Sequence, residues 1–91
     1  MNKQIWKYSC KAIGHLFSFD MPKGAEILTF QLQDGDMPVF WAAVVPSFPL
    51  EERTFILLGT GITYNFDGRE TYIGTIQNGL FVWHLFEVKN G

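Results

Sequence analysis

The chain has 91 residues, of which 47% are hydrophobic, 16% aromatic and 18% charged, and its net charge is -2. This length predicts a single domain over residues 1–91, because one hydrophobic core serves roughly 100–150 residues. The apolar fraction is too high for a disordered segment. With 7 Lys and Arg against 9 Asp and Glu, the chain lacks the basic excess that long nucleic acid requires of its partners.

The first half of the chain predicts four short strands, at residues 5–10, 16–20, 26–33 and 39–45. In the third strand Leu28, Phe30 and Leu32 alternate with polar residues, a pattern typical of a strand with one solvent-exposed face. The fourth is apolar on both faces, as a strand covered on both sides would be. The turn signal Asp34-Gly35-Asp36 predicts that these two strands form a hairpin.

The second half predicts three further strands, at residues 53–61, 71–77 and 80–88. Before them, residues 49–53 predict at most one turn of helix, with a proline at its start and acidic residues in the first turn. The last two strands are joined by Asn78-Gly79. A type I′ turn prefers this pair because both of its central residues need a positive φ. The sequence therefore predicts a second hairpin here.

Seven short strands separated by turn signals predict a mainly β fold, either a compact antiparallel β-sandwich or a small barrel. The chain contains nine Phe, three Trp and three Tyr, more large rings than a small core usually holds. Some of these rings are then expected at a strand edge, in a pocket or on a partner subunit. We therefore expect a homo-oligomer formed through a strand edge or a sheet face.

The compartment follows from cysteine usage and hydropathy. A single cysteine, Cys10, excludes an intramolecular disulfide bond, and small secreted domains usually contain several. Residues 1–17 lack the continuous apolar stretch of a signal peptide. The longest nearly apolar run, residues 37–46, has the length of a strand and not of a membrane span. We expect a soluble intracellular protein with no membrane partner.

Residues that support catalysis or metal binding are few. Cys10 lies near no elbow or helix N-terminus that would lower its pKa, so packing is the better interpretation. His15 and His84 are separated by most of the chain, and no short spacing of ligands predicts a zinc site. We therefore expect no cofactor, no metal and no catalytic residue.

His84 allows two interpretations. It shares a strand face with Val82 and Phe86, so one interpretation is a half-buried histidine with a backbone or carboxylate partner. The other is a donor that faces a ligand or carries a proton, because imidazole titrates near physiological pH. As an acid or base it would support the weaker enzyme alternative, the hydrolysis of a nucleotide signal.

Five residues are candidates for binding a small nucleotide-type ligand: Arg53, Thr60, Arg69, Tyr72 and His84. The two arginines present forks that match phosphate or carboxylate, with a solvated surface charge as the alternative. Thr60 lies between two glycines that let a ligand approach the backbone, although a turn at a strand end is the simpler interpretation. Tyr64 and Tyr72 flank the loop with Arg69, where rings beside a cation stack a nucleobase.

Short segments spread over nearly the whole chain resemble, in order and spacing, a family of small proteins encoded by tailed phages and prophages. They are Ile5-Trp6-Lys7-Tyr8, Met21-Pro22-Lys23-Gly24-Ala25, Phe40-Trp41-Ala42, Arg53-Thr54-Phe55, Gly59-Thr60-Gly61, Tyr72-Ile73-Gly74-Thr75 and His84-Leu85-Phe86-Glu87. The family is of unknown function and offers no catalytic motif to transfer. The chain departs from its pattern at residues 10–17, where an acidic turn is more common.

The resemblance implies a small, non-catalytic binding protein in the cytoplasm of a bacterial host. Small soluble phage proteins with β folds often act as inhibitors, and one class sequesters the nucleotide signal of a host defence system. We therefore expect an anti-defence protein that binds and sequesters a nucleotide-derived immune signal. The alternatives are an inhibitor that binds a host protein through an exposed aromatic surface or strand edge, and a minor virion or assembly protein.

Overall fold

The computed structural model describes residues 1–90, which form seven antiparallel strands and no helix. The strands are β1 (Gln4–Ser9), β2 (Leu16–Pro22), β3 (Glu26–Gln33), β4 (Met37–Val44), β5 (Leu50–Gly59), β6 (Glu70–Asn78) and β7 (Phe81–Val88). Among these residues there is no helix with the length and hydropathy that a membrane crossing needs. The predicted mainly β, antiparallel fold is confirmed.

The strands form two sheets that pack face to face, which is the sandwich form of the prediction. The smaller sheet has the order β1-β4-β3, and the larger has the order β2-β5-β7-β6. Both predicted hairpins, β3–β4 and β6–β7, are present. The remaining pairs, β1–β4, β2–β5 and β5–β7, join segments that are far apart in the sequence.

Side chains that point inward from both sheets form the main core. Phe40, Phe55 and Leu85 are fully buried there, and the ring centroids of Phe40 and Phe55 lie 4.7 Å apart across the two sheets. Burial of each such side chain stabilises the fold by roughly 1.5–3 kcal/mol. Tyr8 stacks on Phe40 at 5.2 Å, which extends this core to the edge strand β1.

Residues 49–53 do not form the predicted helical turn. Leu50 begins β5 and pairs with Pro22 at the end of β2, and the Lys23 N–H donates to the Pro49 carbonyl over 2.8 Å. Five residues are too few to offset the cost of helix nucleation. Pairing with β2 satisfies the same backbone groups at once, so strand is the better solution for this segment.

The turn between β6 and β7 lies one residue later than predicted. Asn78 pairs with Phe81, so the central residues of the turn are Gly79 and Leu80. Gly79 has a φ of +60°, and it is the one residue of the turn with a positive φ. This is the pattern of a type II′ turn and not of the predicted type I′ turn.

Two β-bulges change which side chains face outward. In β3 the register shifts between Ile27 and Thr29, so Leu28 is exposed while Phe30 remains buried. The predicted common face of Leu28 and Phe30 is therefore wrong, because the extra residue of a bulge interrupts the alternation. The second bulge is in β6 at Ile73.

Candidate functional site

The outer face of the four-stranded sheet carries a series of hydrogen-bonded side chains. His84 lies at its centre, paired across the sheet with Leu58 on one side and Thr75 on the other. Its Nε2 is 2.7 Å from the Thr60 Oγ1, and its Nδ1 is 2.9 Å from the Thr75 Oγ1. The Tyr72 hydroxyl oxygen is 2.6 Å from the same Thr75 oxygen. We call Thr60, His84, Thr75 and Tyr72 the polar chain.

Local irregularities of the sheet bring the polar chain together. Residues three apart in a regular strand point to opposite faces, but the bulge at Ile73 inserts one residue. Tyr72 and Thr75 therefore share the outer face. Thr60 directly follows β5, and its N–H donates to the Val82 carbonyl over 2.9 Å, which holds its side chain beside β7.

The polar chain has two alternative directions of hydrogen bonding. A neutral imidazole donates from one ring nitrogen and accepts at the other. When Nδ1 of His84 carries the proton, it donates a hydrogen bond to the Thr75 hydroxyl. Thr75 then donates to the Tyr72 hydroxyl, which becomes the outward donor. When Nε2 carries the proton, Thr60 accepts and becomes the outward donor instead. In either case one end of the polar chain presents a donor and the other an acceptor.

His84 has different partners from those that the sequence suggests. Its two ring nitrogens contact threonine hydroxyls, whereas the simpler interpretation expected a backbone or carboxylate partner. Its shared face with Phe86 is confirmed, because both side chains lie on the outer side of β7. Among residues 1–90 no carboxylate hydrogen bonds to the imidazole, in contrast to the usual arrangement of a catalytic histidine.

Four aromatic side chains lie beside the polar chain. The ring centroids of Tyr64 and Phe66 are 4.8 Å apart, those of Phe66 and Phe86 are 5.3 Å apart, and those of Tyr72 and Phe86 are 5.6 Å apart. All three contacts have the edge-to-face geometry that aromatic pairs favour. We call Tyr64, Phe66, Tyr72 and Phe86 the aromatic cluster. It covers a small second core beneath it, formed by Ile56, Leu58 and Val88.

A cavity of about 250 Å³ lies between the polar chain and the aromatic cluster. Thr60 and His84 line one side, and Phe66 and Phe86 line the other. The described residues that line it include no charged side chain. Small-molecule sites usually measure roughly 300–1,000 Å³, so this shallow cavity is of a size for one planar ring system.

The loop that carries half of the aromatic cluster is tied down by acidic side chains. Glu70 accepts hydrogen bonds from the N–H groups of Asp67 and Gly68, each over 3.2 Å, and from the Tyr64 hydroxyl over 3.3 Å. The N–H and the guanidinium of Arg69 both donate to Asp67, and these bonds lower the pKa of that carboxyl. The loop geometry therefore depends on Glu70 and Asp67.

The structure brings together three of the five candidate residues, Thr60, Tyr72 and His84. Arg69 is partly exposed and pairs with Asp67 over 2.8 Å at the start of β6. Arg53 lies elsewhere and donates from two nitrogens to the Glu87 carboxylate and from a third to the Ala25 carbonyl over 2.7 Å.

Sequence reasoning missed Thr75, Phe66 and Phe86 as members of the site. Simple alternation from Tyr72 places Thr75 on the opposite face. Gly74 is one signal that corrects this, because an isolated glycine inside a strand often marks a bulge. The register of the hairpin offers the better signal. Counted from the observed turn, Thr75 lies directly opposite His84.

Other reactive groups do not join this site. Burial raises the pKa of the Cys10 thiol to about 12, so the nucleophilic thiolate is scarce at neutral pH. Within residues 1–90 no three His, Cys, Asp or Glu side chains are placed to hold a metal ion. The chemistry that the site offers is therefore hydrogen bonding and aromatic stacking.

No curated protein and no solved structure matches the chain. A family model described as a domain of unknown function, DUF7352, matches residues 1–91. The match extends from the first residue to the last, so it includes both sheets and every residue of the polar chain and the aromatic cluster. The chain therefore belongs to the DUF7352 family, whose function is unknown.

Proposed function

We propose that this protein binds the base of a nucleotide-derived signal on the outer face of its four-stranded sheet and sequesters that molecule unchanged. The proposal rests on the polar chain beside the exposed aromatic cluster. The edge of a nucleobase presents hydrogen-bond donors and acceptors, and its faces stack on aromatic rings. Thr60 and His84 line the cavity together with Phe66 and Phe86, so the Thr60 hydroxyl is placed to hydrogen bond to a base edge while the rings stack on the base.

The charge distribution favours an uncharged ring over a phosphate in the cavity. The guanidinium of Arg53 is already paired with Glu87, and no charged side chain of residues 1–90 lines the cavity. Arg69, at the rim of the neighbouring loop, is the cation best placed for a phosphate, but binding it means competing with Asp67. We therefore propose that base recognition dominates and that phosphates remain near the solvent.

Binding without catalysis is supported by the surroundings of His84. Both of its ring nitrogens contact threonine hydroxyls, and among the described residues no carboxylate orients the imidazole or stabilises its charged form as in a catalytic triad. The resemblance to phage and prophage proteins supports an anti-defence role in a bacterial host. We propose that the sequestered molecule is a signal of a host defence system.

The affinity that sequestration needs exceeds what one base supplies. Competition with a receptor needs roughly nanomolar affinity, about -12 kcal/mol. Stacking contributes about 1–3 kcal/mol per base, and each neutral hydrogen bond contributes about 0.5–1.5 kcal/mol. One base with two hydrogen bonds therefore supplies at most about half of this free energy. A signal with two or three bases, bound by more than one subunit, closes this gap.

A thermal-shift screen against cyclic oligonucleotides and cyclic ADP-ribose isomers tests the proposal. A ligand at 100 times its Kd stabilises the fold by about 2.7 kcal/mol, which raises the Tm of a domain this small by about 10 °C or more. We expect this shift for the wild type and for Thr29→Val, an exposed threonine of the other sheet. Thr75→Val interrupts the polar chain and should lose most of the shift.

Recovery of the nucleotide distinguishes sequestration from hydrolysis. After the protein is denatured by heat, the released molecule should have the chromatographic retention and mass of the one added. A cleaved product would contradict sequestration and support the enzyme alternative with His84 as acid or base. The absence of a shift with every nucleotide would contradict the proposal and favour a host protein as the target.

A further inference from the structure

A second and larger cavity lies at the end of the sandwich where the β6–β7 turn meets the loops after β1 and β5. It measures about 670 Å³, and we call it the end cleft. Thr60 is the one polar side chain among the described residues that line it. The main apolar side chains of its wall are Ile13, Ile62, Leu80, Phe81 and Trp83.

The rim of the end cleft is unusually exposed for apolar residues. Leu80 is 99% exposed and Phe81 is 65% exposed, and Ile13 and Ile62 are also exposed. Turn positions normally carry Gly, Asn, Asp or Ser, so the turn itself does not explain a leucine beside Gly79. A contiguous apolar surface of this kind is typical of an interaction site.

The exposed rim favours a macromolecule over a small ligand. A small-molecule site encloses about 70–90% of its ligand, whereas Leu80 at the rim of the end cleft projects into solvent and is 99% exposed. A protein partner that receives Leu80 would remove this side chain from water. The same patch also offers a hollow, beside the projection, into which an apolar side chain of the partner fits.

We infer that the end cleft is the interface between two copies of this chain, related by a twofold axis. Such an interface is self-complementary, because the same patch must supply both the projecting group and its receptor. The patch contains both, since Leu80 and Phe81 project beside the hollow. The described lining residues carry no charge, so two chains of net charge -2 meet there without burying like charges.

The dimer places a second subunit next to the nucleotide site. Thr60 and Ile62 line both the end cleft and the 250 Å³ cavity, so a subunit seated in the cleft closes one side of that cavity. This consequence rests on the proposed function, whereas the interface itself does not. The second subunit supplies the further contacts that nanomolar affinity for the nucleotide requires.

Sedimentation velocity of the wild type, Leu80→Glu and Leu28→Glu tests the interface. Leu28 is an exposed leucine at the bulge of β3, so its variant controls for the added charge. We expect the wild type and Leu28→Glu to be dimers and Leu80→Glu to be a monomer. Circular dichroism should show the same strand content for all three, because Leu80 contributes nothing to the core.

A mixed-label NMR experiment locates the contact. In a sample of labelled and unlabelled protein, isotope-filtered spectra should show contacts between Leu80 methyl groups of one copy and Ile13 or Ile62 methyl groups of the other. A wild type that stays monomeric at the highest attainable concentration would overturn the inference. This is also the result expected if a different protein occupies the end cleft. A dimer that persists in Leu80→Glu would overturn the inference as well. Neither result depends on nucleotide binding.

Discussion

Among the single side chains, Arg53 has a structural role. It joins β5 to β7 through Glu87 and reaches the segment before β3 through the Ala25 carbonyl. The side chains of Arg53 and Glu87 are only 17% and 24% exposed, so loss of one leaves the other poorly solvated. We expect Arg53→Ala to lower the free energy of unfolding by about 1–3 kcal/mol, somewhat less than for a fully buried pair.

Chemical denaturation measures this effect, with Arg69→Ala as the control. The Arg69–Asp67 pair is exposed, so its loss should leave stability within about 0.5 kcal/mol of the wild type. Arg53→Lys should not restore stability, because an ammonium group does not reproduce the donor fork. Equal stability of Arg53→Ala and the wild type would show that the contacts of Arg53 with Glu87 and Ala25 do not stabilise the fold.

Tyr8 carries a buried hydroxyl with no hydrogen-bond partner among the described residues. Burial raises the pKa of this hydroxyl, while its ring packs against Phe40 and Phe19. Tyr8→Phe keeps the ring contacts and removes an unsatisfied polar group. We expect the free energy of unfolding to stay the same or to rise by up to about 1–2 kcal/mol. A clear loss of stability in urea titration would mean that the hydroxyl has a partner.

Cys10 makes the free energy of unfolding depend on pH in the alkaline range. Burial raises the pKa of its thiol from about 9 to about 12. The unfolded chain therefore loses the thiol proton at a lower pH than the folded chain. This contribution to stability is fully present below about pH 9 and is lost as the pH rises toward the folded pKa.

We expect the free energy of unfolding to fall as the pH rises from about 9 toward 12, and to fall less in Cys10→Ala. Urea titrations at several pH values measure both slopes. The thiol should also react slowly with disulfide reagents in the native state and rapidly in urea, because reaction requires the thiolate. Equal pH slopes for the two proteins would contradict the raised pKa.

The loop between β5 and β6 is the element that shapes the candidate site. Glu70 anchors it by three hydrogen bonds, and the loop places Tyr64 and Phe66 over β7. We expect Glu70→Ala to accelerate amide hydrogen exchange in residues 61–69 while the core strands keep their protection. The exposed Glu52 gives the matched control, Glu52→Ala. Unchanged exchange in Glu70→Ala would show that the aromatic contacts alone hold the loop.

At the same scale, the strands were predictable and their side-chain partners were not. Alternation and turn residues predict all seven strands, because those patterns follow from the geometry of each strand alone. The partner of His84 depends on register. Extending the predicted turn at residues 78–79 pairs His84 with Ile73, whereas the observed turn at 79–80 pairs it with Thr75. An error of one residue in the turn thus moves the partner by two.

The bulge at Ile73 has the same consequence for Tyr72. Gly74 lies opposite Leu85 and faces inward, where a Cβ would be in ordinary van der Waals contact with Phe30. This inward position of Gly74 follows from the bulge at Ile73. It was not visible in the alternation of β6 itself, so the sequence predicts Tyr72 as a candidate but not its hydrogen bond to Thr75.

In the whole molecule, the aromatic side chains lie in more than one environment. Most of the rings enter the core between the sheets, but Phe66 and Tyr72 remain exposed in the aromatic cluster and Phe81 remains exposed at the end cleft. The sequence predicts that some rings lie outside the core. The structure adds that these rings lie on two adjoining surfaces, which share Thr60 and Ile62.

The location of nucleotide binding is tested most directly by an NMR titration of labelled protein with the cyclic nucleotides of the thermal-shift screen. We predict that the amide chemical shifts change most at Thr60, Phe66, Thr75 and His84, on the outer face of the four-stranded sheet. The outer face of the three-stranded sheet, around Trp41, should be unaffected. Changes confined to that opposite face, or none with any nucleotide, would contradict the assignment of the polar chain and the aromatic cluster as the binding site.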